Sequence, residues 1–347
     1  MQALTIVPGQ KGSTRLDDVG EPAADSGALV DIVAVGVCGT DRDLLDGQYG
    51  APPPGESRLI IGHEALARVR EAPRDSQLAP GDWVVPIVRM PDPVPCENCG
   101  AGEWDMCSNG RYTEHGIKEL HGFARERARV PARFLVPIDA RLGADGTGVL
   151  LEPTSVVAKA WDHIERIGKR SVWRPRRALV TGAGPVGLLA SLLAKQRGLA
   201  VTLLDRNVTG PKPELARRLG VDYVGSDVSG AASKADVIIE CTGAAPVILD
   251  VIAAAPPNAI VCLLGLSPAG RGVLVDMASV NQSLVLENNV VFGSVNANRA
   301  HYEMAARALQ AADPAWLRAL ITRRHPLAEW ATALERRKND VKVVLEP

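Results

Sequence analysis

The run Ala178-Leu179-Val180-Thr181 leading into Gly182-Ala183-Gly184-Pro185-Val186-Gly187 restricts the fold of this chain more than any other stretch. An apolar, β-prone segment passes directly into a glycine-spaced turn and then into a helical pattern from Val186 to Arg197. A strand, a tight turn and a helix in that order form a dinucleotide-binding unit. Gly182 allows the turn, Gly184 lets backbone approach a pyrophosphate at the helix N-terminus, and Gly187 lets helix and strand pack closely. Further strands are expected at Leu199 to Asp205, Asp236 to Glu240 and Ile260 to Gly265, with a helix at Pro213 to Leu219. Strands alternating with helices predict a parallel, doubly wound sheet. Asp205 stands 18 residues after Gly187, at a strand end, where an acidic residue grips ribose hydroxyls. A carboxylate there repels a 2′-phosphate and favours NAD. Arg206 and the nearby Lys212 pull toward NADP as the alternative.

Before residue 156 the rhythm differs. Ala28 to Val35 and Val84 to Val88 read as strands, and proline and glycine punctuate loops such as Ala51 to Gly55 and Pro91 to Pro95. After Asn298 come a helix, His301 to Ala311, and a mixed tail too short for a domain of its own, so the tail is expected to return to the N-terminal part. The expected division is residues 1–155 with 299–347, and 156–298. A net charge of −1 supplies no electrostatic case for nucleic acid or an anionic membrane. No apolar run approaches the roughly 20 residues of a membrane span, and the N-terminal residues show no secretion signal. Six cysteines in 347 residues do not make a disulfide framework, and a cytoplasmic protein is expected.

Cys38 follows a strand, His63 and Glu64 are adjacent, and Glu152 opens Glu152-Pro153-Thr154, where proline favours a helix start. Each residue type is a zinc ligand, and a catalytic site needs three of them with one position open. Because neighbours in an extended chain face opposite ways, one of His63 and Glu64 is expected to ligate directly and the other to act through water or from behind the ligands. Singly, each has a plain reading: a buried cysteine is usually core and a lone glutamate usually solvated. Cys96-x2-Cys99-x7-Cys107 has structural-zinc spacing but supplies three ligands where four are needed, so Asp92 is the expected fourth.

Together these residues resemble the zinc-containing medium-chain dehydrogenase/reductase superfamily, over nearly the whole chain. Within it, Cys38 to Arg42, Gly62 to Ala65, Tyr112 to Ile117, His121 to Phe123, Leu151 to Val157 and Gly293 to Asn298 are similar to the glucose (aldose) 1-dehydrogenase family. The resemblance implies a mostly-β GroES-like catalytic domain beside the doubly wound Rossmann nucleotide domain. It implies zinc on Cys38, His63 and Glu64 or Glu152, a proton relay through Thr40, and sugar contacts from Glu114, Glu152 and Asn296. The expected nucleotide contacts are Gly182, Gly184, Pro185, Val186, Gly187, Asp205, Arg206, Thr242 and Asn296. The expected reaction is oxidation of the C1 hydroxyl of an aldose to a lactone, with zinc and NAD or NADP. A polyol or alcohol dehydrogenase, and at greater distance a non-catalytic nucleotide-binding protein, are the alternatives. A homodimer or homotetramer is expected, with Leu284 to Val291 as the candidate pairing strand. The chain departs from the family's pattern at Pro93, where the lobe would carry its first cysteine, and at Ala158, where many relatives carry Glu.

Overall fold

The computed structural model describes residues 1–24, 27–267 and 272–347. They fall into two compact units, residues 1–155 with 296–347, and residues 156–295.

In the first unit a β-sheet runs in the order Leu135–Pro137, Trp83–Pro86, Glu64–Glu71, Ala28–Val37, Lys342–Glu346 and Ile321–Pro326, with Arg127–Val130 also paired to Ala28–Val37. The tail therefore supplies two strands of this sheet. Lys342–Glu346 lies antiparallel to Ala28–Val37, matching Val343 to Val37 and Leu345 to Val35. That pairing brings the end of the chain beside Cys38. Asn296 to Asn298 also belong to this unit rather than to the nucleotide-binding segments. Their side chains bond inward, Asn296 to Glu114 and Asn298 to Asp105.

The second unit holds a six-stranded parallel sheet ordered Asp222–Val224, Ala200–Leu204, Arg177–Thr181, Val237–Glu240, Ile260–Leu263 and Val290–Gly293. The central strands are apolar on both faces because helices cover both sides, so they read as continuous hydrophobic runs. Strand order reverses beside Arg177–Thr181, the switch point where doubly wound sheets bind ligands. The Gly182 loop leaves the C-terminal end of that strand.

The stretch Leu284 to Val291 is not one strand. The helix Met277–Leu286 begins where the Asp276 carboxylate accepts from the backbone of Ala278 and Ser279, at 3.1 and 3.3 Å. Asn288 then turns the chain at φ 53°, and only Val290–Gly293 joins the sheet, as its last strand. The Asp276 cap nucleates a helix that a β-prone Val-Leu pattern alone does not predict.

Candidate active site

Cys38 sits where Ala28–Val37 ends and the short helix Gly39–Leu45 begins. Its backbone N–H donates to Asp41 Oδ2 at 2.8 Å. Asp41, buried in the first turn of that helix, turns its other oxygen toward His63, with Oδ1 and Nδ1 3.4 Å apart. The pair is an ion-pair contact rather than a well-aligned hydrogen bond. Glu64 opens the strand Glu64–Glu71 and His63 immediately precedes it, next to the end of Ala28–Val37 that leads to Cys38. The ligand atoms of Cys38, His63 and Glu64 all lie within 4.8 Å of one another, so both members of the adjacent pair reach the same cluster. Cys38 is partly exposed while the other two are buried, which leaves the cluster approachable from the cysteine side.

Lys342, fully buried, donates to Glu64 Oε2 in a short contact and to the Val37 carbonyl at 3.3 Å. Gly36 makes room for this pair, because a Cβ there would stand 2.2 Å from Glu64 Oε2. Burial opposes charge on His63, but Asp41 and the Cys38 sulfur outweigh it and hold the imidazole well above its usual range. Burial likewise opposes the Lys342 ammonium, and Glu64 and Cys38 more than offset it. Bound metal demands the opposite state of His63, since ligands must be deprotonated. Glu152 is in the first turn of the helix Leu151–Gly168. Burial pushes its carboxyl up to about 7, with the Glu64 and Asp41 carboxylates adding to the rise and His63 and Lys342 opposing it. It is thus in the field of the cluster without belonging to the three atoms that converge. Thr40 is in the first turn after Cys38, and its hydroxyl is near the Tyr49 phenol.

Glu114 and Asn296 meet directly. Asn296 Nδ2 donates to Glu114 Oε1 at 2.7 Å, and Arg89 grips the same oxygen through Nε and Nη2, both at 3.0 Å. Both residues are 8% exposed, so neither is the surface charge or turn residue that its position in a loop suggests. Arg89 stacks on the Tyr112 ring 3.8 Å away and donates to the Asp105 carbonyl. Asn296 adopts a left-handed backbone, φ 60°, and its Oδ1 accepts from the next N–H, a conformation asparagine tolerates. Glu114 Oε2 takes no part in these bonds. The turn after Glu114 packs on the backbone that leads to His63: Phe123 N–H donates to the Gly62 carbonyl at 2.8 Å.

In the three-cysteine lobe the sulfurs of Cys96, Cys99 and Cys107 also lie within 4.8 Å of one another. Asp92, the expected fourth ligand, does not join them. Its Oδ1 accepts from Val94 N–H at 2.9 Å, and its Oδ2 is bound by Asn109 and faces Arg111 at 3.4 Å.

The nucleotide loop is built in the second unit. Gly182 has φ 88°, and a Cβ on Gly187 would stand 1.7 Å from the Gly182 carbonyl, so helix and turn close only on glycine. Nothing lies within 4 Å of a Cβ at Gly184, the N-cap of the helix Pro185–Gln196, which has Val186 in its first turn. Asp205 Oδ2 accepts from Ala183 N–H at 2.8 Å and from Lys212 at 3.2 Å, and Oδ1 accepts from Asn207 N–H. Arg206 is exposed. Thr242 packs beside Gly182 with its hydroxyl and N–H both on buried Glu240.

Asp41, Arg89, Lys342 and Glu240 escape sequence reading. Asp41 had a signal, an acidic residue at the third helix position after Cys38. Lys342 had none, standing 278 residues from Glu64.

The family described as "Glucose dehydrogenase C-terminus" matches residues 145–347, and "Alcohol dehydrogenase GroES-like domain" matches residues 24–140. A glucose 1-dehydrogenase of Methanocella arvoryzae is 39% identical, covering 100% of this chain and 99% of the relative. Glucose 1-dehydrogenase 2 of Vulcanisaeta moutnovskia is 41% identical at the same coverage. A Haloferax mediterranei glucose dehydrogenase, solved with NADP, Zn and gluconolactone, superposes with a TM-score of 0.91 at 31% identity, covering 100% of this chain and 99% of that one.

Proposed function

We propose, because this chain belongs to the glucose dehydrogenase family, that it is a zinc-dependent oxidoreductase that converts the C1 hydroxyl of an aldose such as glucose to a lactone, using a nicotinamide dinucleotide. The observation that carries the reading is the convergence of Cys38, His63 and Glu64. A sulfur, an imidazole nitrogen and a carboxylate oxygen are a donor set zinc accepts, and three protein ligands leave one position for substrate. When bound, zinc supplies Lewis acidity toward the alcohol oxygen and the nicotinamide accepts hydride.

The chain's own residues do the rest. With Nδ1 turned to Asp41, His63 keeps Nε2 for the metal, and the carboxylate raises its basicity. Lys342 holds Glu64 in place. Thr40, near Tyr49, takes the proton of the C1 hydroxyl outward. Glu114 Oε2 and the remaining Asn296 amide proton bind sugar hydroxyls, and Glu152 would supply a further contact to the sugar or to the zinc site. Asp205 binds the adenosine ribose and favours NAD, since a 2′-phosphate would face its carboxylate across only one partner cation, Lys212. Gly182, Gly184 and Gly187 seat the pyrophosphate.

Zinc analysis combined with aldoses and polyols offered with NAD and with NADP tests the assignment. Aldoses should exceed polyols by at least about tenfold in kcat/KM, roughly 1.4 kcal/mol. Cys38→Ala should abolish turnover while NAD binding persists. Turnover by a zinc-free Cys38→Ala protein refutes the site. Glu114→Ala and Asn296→Ala should each cost about tenfold in kcat/KM for the sugar.

The assembly we propose is a homodimer or homotetramer joined through the edge strand Val290–Gly293, in the cytoplasm. Its Val290, Val291 and Phe292 are only half-buried, and the helix Met277–Leu286 beside it in sequence leaves Met277, Val285 and Leu286 exposed. An unpaired edge with apolar flanks is a template for a second copy. Val291→Lys should shift the mass measured by light scattering to that of a monomer. An unchanged mass excludes this edge.

A further inference from the structure

The three-cysteine lobe has a built geometry and an incomplete ligand set. Cys96 caps the helix Glu97–Gly100, Cys99 lies inside it, and Cys107 follows the short helix Trp104–Met106. Cys107 Sγ donates to Asn109 Oδ1 at 3.0 Å, which anchors that sulfur within the lobe. Three sulfurs within 4.8 Å of one another, each held by short local structure, form one face of a metal site.

The closed, four-ligand zinc that the medium-chain resemblance implies does not fit this face. Such a site needs four protein ligands. Position 93 is a proline, which offers no side-chain donor. Asp92 is nearest in sequence, and both of its oxygens are engaged, by Val94, Asn109 and Arg111. Among the described residues no fourth His, Cys, Asp or Glu completes the group. The fourth side is reachable from solution: Cys96 and Cys107 are partly exposed, and a cavity of about 700 Å³, walled by Pro93, Trp104 and Phe134, opens beside Cys99.

We propose that this lobe is an open three-thiolate site for a thiophilic divalent ion, zinc or cadmium, with its fourth position filled by an exogenous donor, either water or a small thiol. Its ion exchanges with solution, unlike one enclosed by four protein ligands. It shares no residue with the Cys38, His63 and Glu64 set, so the two sites load independently.

The test is cadmium loading of the reduced, full-length protein. Two equivalents should bind, and the lobe's equivalent should show a thiolate-to-metal absorption band of three-thiolate intensity and a ¹¹³Cd resonance in the range for three sulfurs with one oxygen. A shift of that resonance on adding a small thiol identifies the thiol as the fourth donor. An unmoved resonance identifies water. A chelator should strip this ion first, with the other equivalent retained. Cys99→Ser should remove the lobe's band and leave the other equivalent. If that variant does not fold, the wild-type resonance and chelator order decide alone. A four-sulfur resonance without added thiol, an ion that resists the chelator, or a lobe that stays empty under excess cadmium overturns the proposal.

Discussion

At the scale of single residues, the buried pair of Lys342 and Glu64 carries large energetic leverage. Removing one partner of a buried ion pair strands the other charge, at a typical cost of about 3–5 kcal/mol. Lys342→Met should therefore lower stability strongly in chelator-treated protein. The loss should shrink in zinc-loaded protein, where the metal neutralises Glu64. Urea melts of both forms check this, and equal losses would show that Glu64 does not face the metal. His115 makes a second residue-scale prediction. Its Nδ1 bonds the His121 carbonyl at 2.7 Å and its Nε2 finds no partner among the described residues. Burial pushes its pKa down to about 4. The unfolded chain then binds more protons than the native one between the ordinary value of about 6.5 and about 4, so stability falls as pH drops through that window. From pH 7 to pH 5 the loss from this group should be about 2 kcal/mol. His115→Asn, which can still donate to the carbonyl, should flatten the wild-type slope by that amount in urea titrations. A parallel slope would mean that solvent reaches the ring.

At the scale of elements, the strand–turn–helix from Arg177 to Gln196 makes a paired prediction. Gly187→Ala places a methyl on the Gly182 carbonyl, a backbone atom that cannot swing aside. Melting temperature should fall, and NAD affinity should drop at least about tenfold. Gly184→Ala meets nothing in the free protein, so its melting temperature should hold while NAD affinity falls, because the methyl occupies the space the pyrophosphate needs. Normal NAD binding by Gly184→Ala would place the phosphates elsewhere. The helix Met277–Leu286 shows where element reading fails. The valines in its sequence suit a strand, and the Asp276 cap together with the φ 53° turn at Asn288 decides otherwise.

At the scale of the whole molecule, the Cys38, His63 and Glu64 cluster and the nucleotide loop lie in different compact units. Ligands that bind only the native state stabilise what they touch, by about 2.7 kcal/mol at a hundred times Kd. Hydrogen exchange should show zinc removal deprotecting Ala28–Val37 and Glu64–Glu71, and NAD protecting Arg177–Thr181 and Val237–Glu240. Equal changes throughout would mean that the molecule opens as one cooperative body. The sequence by itself determined the parallel sheet and its glycine loop, because buried strands are continuous apolar runs and the glycine spacing is local. It also marked Cys38, His63 and Glu64 as candidate ligands, since Cys38 sits in one short motif and His63 and Glu64 share another. Only the tertiary structure decided which carboxylate joins them, that Asp92 turns from the cysteines to Asn109, and that Lys342 and Arg89 clamp Glu64 and Glu114. The pairs Lys342 with Glu64 and Arg89 with Glu114 are set by sheet register, where a shift of one residue sends every side chain to the opposite face, and Asp92 meets Asn109 between two loops; no periodicity along the chain encodes either kind of contact.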